Sequence, residues 1–206
     1  MTVPTLTPAA VAPPDDRVRG VVLMLHGGKD RSTEVVDDRS LSRRRSLVMQ
    51  RALAPAFAES GLLTCLMSYR VRGWNGGSGP VEDARWALEQ VRRELGDLPV
   101  VLLGHSMGGR TAVHVADDAA VVGVVGLAPW WPGDEPVEAL RGKHLVGVHG
   151  SNDRITSYRQ SERFVERAST VAATAEHVVL RAAGHYMLRR ASTWNAHARD
   201  AVLTMI

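Results

Sequence analysis

Six short apolar runs, at residues 20–25, 62–69, 100–103, 121–127, 144–148 and 177–180, alternate along the chain with stretches of helical period. Several runs are apolar at consecutive positions rather than at every second one, which is the pattern of strands covered on both faces. Parallel strands need long crossovers between them, and the intervening stretches are long enough to be helices. The alternation therefore predicts an α/β fold, a three-layer α/β/α sandwich around a mainly parallel sheet of about six strands. Among the crossovers, Val81, Ala84, Leu88, Val91 and Leu95 fall at spacings of three and four and predict a helix over 81–95. Pro80 suits its first turn, Glu82 and Asp83 its positive end, and Arg92 and Arg93 its negative end. The same period runs from Met187 through Ala191, Trp194, Ala198 and Val202 to Met205. Further helices are expected at 41–59, kinked or interrupted near Pro55, at 107–117 and at 158–168.

A chain of 206 residues suits one domain with a full core. Pro4, Pro8, Pro13 and Pro14 mark residues 1–17 as a flexible segment or surface strap, with the folded domain expected over 18–206. The net charge of +3 is spread along the chain, and the basic residues, arginines apart from Lys29 and Lys143, cluster only at Arg43, Arg44 and Arg45. That distribution predicts no nucleic-acid partner, which would need a basic patch or a reading motif. A single cysteine, Cys65, excludes an intrachain disulfide and is expected to pack as a small hydrophobe. The start of the chain has no basic segment followed by an apolar run, and no stretch approaches the roughly 20 apolar residues of a membrane span. The expectation is a cytoplasmic protein without a membrane partner.

The chemistry concentrates at the ends of the predicted strands. The run 100–103 leads directly into Gly104-His105-Ser106-Met107-Gly108, a Gly-x-Ser-x-Gly turn followed by a helix. Such a turn holds a serine in a strained conformation at a strand end, and glycines at both flanks leave room for the crossing chain. Alone the pattern is weak, because a glycine-rich turn with a serine helix cap would look the same. Two further residues sit just past later strands: Asp153 in His149-Gly-Ser-Asn-Asp153, and His185 in Ala183-Gly-His185. Asp153 could instead serve its own turn, and Asp134 or Glu135 compete for the role of acid. Another loop, His26-Gly27-Gly28, follows the first run.

His-Gly-Gly at 26–28, Gly-His-Ser-Met-Gly-Gly at 104–109, His-Gly-Ser-Asn-Asp at 149–153 and Gly-His at 184–185 together resemble the α/β-hydrolase superfamily. The resemblance covers the chain from Val18 onward and is nearest to small esterase-like and dienelactone-hydrolase-like members without a cap, although dienelactone hydrolases themselves usually carry cysteine where Ser106 stands. The family's earliest antiparallel strands are expected to be missing or reduced. The resemblance implies Ser106 as nucleophile, His185 as base and Asp153 as the acid that orients it, with Met107 and Gly28 rather than Lys29 supplying oxyanion amides. It implies no metal and no cofactor, and a small-molecule ester or thioester as substrate. An acyltransferase or lyase on the same residues, or a noncatalytic binding protein on the same fold, are the alternatives. Trp74, Trp130 and Trp131 are candidate substrate contacts, with loop packing as the equal alternative. The arginines of residues 29–45 are candidates to meet a substrate carboxylate.

Overall fold

The computed structural model describes residues 2–14 and 17–206. Among these, seven strands form one sheet in the order β1-β3-β2-β4-β5-β6-β7, with β1 Thr5–Pro8, β2 Gly20–Leu25, β3 Leu62–Ser68, β4 Val100–His105, β5 Val121–Leu127, β6 His144–Gly150 and β7 Thr174–Leu180. All neighbouring pairs are parallel except β1 with β3. Among the described residues, five helices cover the sheet: α1 Leu41–Glu59, α2 Ser78–Leu95, α3 Met107–His114, α4 Tyr158–Ala168 and α5 Ala191–Leu203.

Alternation along the strands divides the core into two layers. Val21, Leu23 and Leu25 of β2 face the side packed by Ala84 and Leu88 of α2, Ala112 of α3 and Phe164 of α4. Val22 and Met24 face the other side, packed by Leu53 and Phe57 of α1 and Trp194 and Val202 of α5. Both faces of every central strand are thus buried, which is why the runs read as apolar without alternation. Cys65 lies in the first layer, where burial pushes its thiol up to about 11.

Residues 5–8 correct the expectation of a flexible 1–17 segment. They form an edge strand antiparallel to β3, in register from Thr5 opposite Ser68 to Pro8 opposite Cys65. The Gln50 side chain donates to the Thr7 carbonyl at 2.9 Å, and Ala9 N–H donates to Thr64 at 2.8 Å. Proline is compatible with this strand because its missing N–H costs a ladder bond only on a side that has a neighbour, and an edge strand has a single neighbour. Of the same segment, residues 1, 15 and 16 lie outside the described residues. Helix α1 runs unbroken through Pro55, which lies on its exposed face together with Arg51, whose carbonyl loses its partner to the ring. Among the described residues, no helix is long and apolar enough to cross a membrane.

From β2 the chain moves outward to β3 and then returns past β2 to β4. The strand order reverses between β2 and β4, and crevices for ligands in open α/β sheets form beyond the carboxyl ends at such a point. Between β5 and β6 the only regular element among the described residues is a single 3₁₀ turn, Glu138–Leu140, so no lid domain is inserted there.

Candidate active site

Ser106 stands between the end of β4 and the start of α3 with φ 54° and ψ −117°. A non-glycine residue at this conformation costs on the order of 1–3 kcal/mol and persists only where its surroundings dictate it. Here Ser106 N–H donates to Leu127 at 3.1 Å, while its carbonyl accepts from Gly109, Arg110 and Trp130. A methyl on Gly104 would strike the Gly108 carbonyl, and one on Gly108 would strike the Leu25 and His26 carbonyls. The two glycines therefore let the turn press against the end of β2.

His185, in the loop after β7, faces this turn. Its Nε2 lies 3.0 Å from Ser106 Oγ, and its Nδ1 lies 2.8 Å from Asp153 Oδ2. Since the carboxylate only accepts, Nδ1 carries the proton and Nε2 is left to accept from the serine hydroxyl. Asp153 is fully saturated: Oδ2 also receives His149 Nε2 at 3.1 Å and the Thr156 hydroxyl at 3.0 Å. Oδ1 receives the amides of Ile155 at 2.8 Å and Thr156 at 2.9 Å. Burial raises the pKa of this carboxyl, but donation from His149, His185 and the two amides outweighs it and holds the group well below the usual carboxylate range. His149 was not among the expected site residues. It is buried, and its Nδ1 accepts from the Ser161 hydroxyl at 2.9 Å, which leaves Nε2–H free to donate to Asp153.

The competing acids lie elsewhere. Asp134 is exposed, and the buried Glu135 pairs with Arg110 at 2.5 Å and with His114 Nε2. This cluster also accounts for two of the tryptophans, because the Arg110 guanidinium stacks between Trp74 and Trp130, 4.5 Å from each ring. Trp131 is buried against Phe164, with Nε1 donating to Gly109 at 3.0 Å, and its ring fills the space over Gly126 and Gly147. None of the three is among the residues lining the cleft at Ser106. The cleft itself, about 560 Å³, is walled by Gly27, Gly28, Leu41, Val48, Ile155 and Leu188 with Arg44, Arg45 and Tyr186.

The loop after β2 is set by His26. Its buried ring donates from Nδ1 to the Gly27 carbonyl at 2.7 Å, and Nε2 faces Tyr69 N–H at 3.4 Å. In a trans peptide the next N–H points opposite the carbonyl. Anchoring the Gly27 carbonyl on His26 thus turns the Gly28 N–H away from that ring, and Gly28 lines the cleft beside Ser106. Lys29 N–H is occupied, donating to Arg72 at 2.7 Å. The amides of Gly28 and Met107 have no acceptor among the described residues.

Two histidines here are held neutral. Burial, partly offset by the Gly27 carbonyl, lowers His26 from 6.5 to about 4, and burial with the nearby His185 lowers His105 from 6.5 to about 3. Well above the ordinary value of 6.5 neither folded nor unfolded chain protonates these rings, so they leave stability flat. As pH falls below that value the unfolded chain takes up protons that the fold refuses, and stability declines until the pH passes the folded values. Urea unfolding is expected to show a loss of about 2 kcal/mol per histidine between about pH 7.5 and about pH 5. The slope should become shallower in His105→Gln.

A reversing parallel sheet, a serine strained at the end of its central strand and an imidazole held against that serine define the α/β-hydrolase class. Residues 20–141, more than half of the chain, match the family described as alpha/beta hydrolase fold, and the chain belongs to that family. Its structure is similar to an alpha-beta serine hydrolase homologue from Coxiella burnetii, with a TM-score of 0.70 and 20% identity over 96% of this chain and 89% of that one. It is also similar to a serine hydrolase without lid from Xanthomonas campestris (0.72, 17%, 98% and 88%). Esterase 2 of Thermogutta terrifontis matches in the same way (0.73, 18%, 98% and 89%), and that esterase is also known with butyrate bound. A comparison with curated proteins found no significant match.

Proposed function

We propose that this chain is a serine hydrolase that cleaves carboxylic esters or thioesters through an acyl-enzyme on Ser106. The observation that carries the reading is the continuous path from Ser106 Oγ through both nitrogens of His185 to Asp153, with steps of 3.0 and 2.8 Å. In this mechanism Ser106 Oγ attacks the carbonyl carbon while its proton passes to His185 Nε2. The imidazolium that forms is stabilised by Asp153, which stays ionised. The amides of Gly28 and Met107, free of internal acceptors, are the donors for the oxyanion. His185 then protonates the leaving oxygen or sulfur, and water, deprotonated by the same Nε2, releases the acid. The esterases among the structural relatives support an ester as first substrate, with p-nitrophenyl butyrate as the starting assay.

The test is covalent labelling. A fluorophosphonate probe should add its mass to the peptide containing Ser106, and p-nitrophenyl esters should be turned over, with thioesters and lactones run beside them. An unlabelled Ser106 in folded protein, with no turnover of any ester, would end the proposal.

Gly28→Ala probes the oxyanion loop separately. Its methyl would collide with Met107 Sδ and Cε and with the Arg72 carbonyl, displacing the region of both donor amides. Steady-state assays should give a kcat lower by about 10²–10³ with KM little changed, because the donors act on charge present only in the transition state.

A further inference from the structure

Around the mouth of the cleft, the side chains divide into an apolar wall and an unneutralised cationic pair. Leu41, Val48, Ile155 and Leu188 line it while remaining 79%, 58%, 62% and 76% exposed. Large aliphatic side chains gathered at one exposed opening mark a surface that apolar matter covers in use. On α1 the positions 41, 44, 45 and 48 share one face, so Arg44 and Arg45 sit between Leu41 and Val48 on the same wall.

Three neighbouring cations are matched by carboxylates. Lys29 pairs with Glu34, Arg72 with Glu34 and Asp37, and Arg43 with Asp38. Among the described residues neither Arg44 nor Arg45 has a carboxylate within ion-pair distance. Arg45 is half-buried and held in place by two carbonyls, donating from Nε to Tyr186 and from Nη2 to Met187, each at 3.1 Å. Carbonyls fix the orientation of a guanidinium without cancelling its charge. Adjacent positive charges beside a low-dielectric wall concentrate anions there, and a guanidinium fork matches a carboxylate.

We propose, building on the reading of Ser106 as nucleophile, that the cleft takes esters whose apolar acyl chain ends in a carboxylate. The chain lies along Leu41, Val48, Ile155 and Leu188, and the carboxylate meets Arg44 and Arg45. The hypothesis for residues 29–45 is thereby narrowed to two arginines, since Arg31 and Arg39 of the preceding loop do not line the cleft and Arg43 is paired with Asp38.

The experiment compares p-nitrophenyl half-esters of dicarboxylic acids of increasing length with neutral p-nitrophenyl esters of equal chain length. In dilute buffer, kcat/KM for the half-ester should exceed that of its neutral partner by about tenfold at the length that spans from Ser106 to the arginines, the size of one charge-assisted contact. The ratio should shrink at about 1 M salt, where screening acts over about 3 Å. Arg44→Glu, a change at an exposed position, should invert the ratio, while Arg44→Gln should bring it towards unity. Neutral esters cleaved with no half-ester preference at any length, or a preference that Arg44→Glu leaves intact, would overturn the proposal and leave the esterase reading standing. Absence of all turnover together with an unlabelled Ser106 would remove both.

Discussion

Ser106→Ala is expected to lower kcat/KM for p-nitrophenyl butyrate by about 10⁶, as removal of a nucleophile from a concerted set does. A residual acceleration of about 10³–10⁴ over the uncatalysed reaction should survive, because in the proposed mechanism the amides of Gly28 and Met107 remain to bind developing charge. A companion change separates chemistry from strain. Ser106→Gly is equally inactive, yet glycine adopts φ 54° without penalty, so it should unfold at higher urea, by about 1 kcal/mol. If Ser106→Ala kept more than about a hundredth of the wild-type rate, another group would be the nucleophile and the proposed mechanism would fail.

Asp153→Asn should reduce kcat by about 10⁴, and here the expected loss extends to stability. One carboxylate oxygen accepts from His185, His149 and Thr156, and the other accepts from the amides of Ile155 and Thr156. A carboxamide replaces one of those oxygens by a donor. Turned one way, its NH₂ meets two backbone N–H groups; turned the other, it meets two imidazole N–H groups. The first arrangement loosens the turn after β6, and the second drives His185 to the tautomer that cannot accept from Ser106. Each unsatisfied buried group costs about 1–3 kcal/mol, so the midpoint of urea unfolding should fall together with the rate. A variant that kept both stability and kcat would show that Asp153 neither orients His185 nor organises its loop.

His149 stands four residues before Asp153, in a stretch where the aspartate alone carries a legible motif. Position 149 lies at the end of a strand, where side chains alternate between faces, and only the strand's register turns this ring toward the carboxylate and Ser161. For the tryptophans, a place after strand ends is compatible with cleft or packing, and in the fold Trp131 turns inward over Gly126 and Gly147, while Trp74 and Trp130 hold Arg110. The wall of the cleft comes from α1 and the loops after β6 and β7. The spacing of Leu41, Arg44, Arg45 and Val48 carried a usable signal, a helix face that is apolar at both ends and cationic between.

Local order along the chain was enough to determine the alternation of strands and helices, the sharp turn at Ser106 and the placing of Asp153 and His185 at strand ends. Each of those depends on residues near one another in sequence: the period of burial, glycines flanking a serine, a loop that must follow a strand. Tertiary structure alone decided which carboxylate reaches His185, which imidazole shares it, that residues 5–8 close the sheet edge, and that two arginines stay unmatched at the mouth. The reason is physical. Hydrogen bonds and ion pairs act over a few ångströms, between groups that only the packing of distant segments brings together, whereas backbone periodicity is written into neighbouring residues.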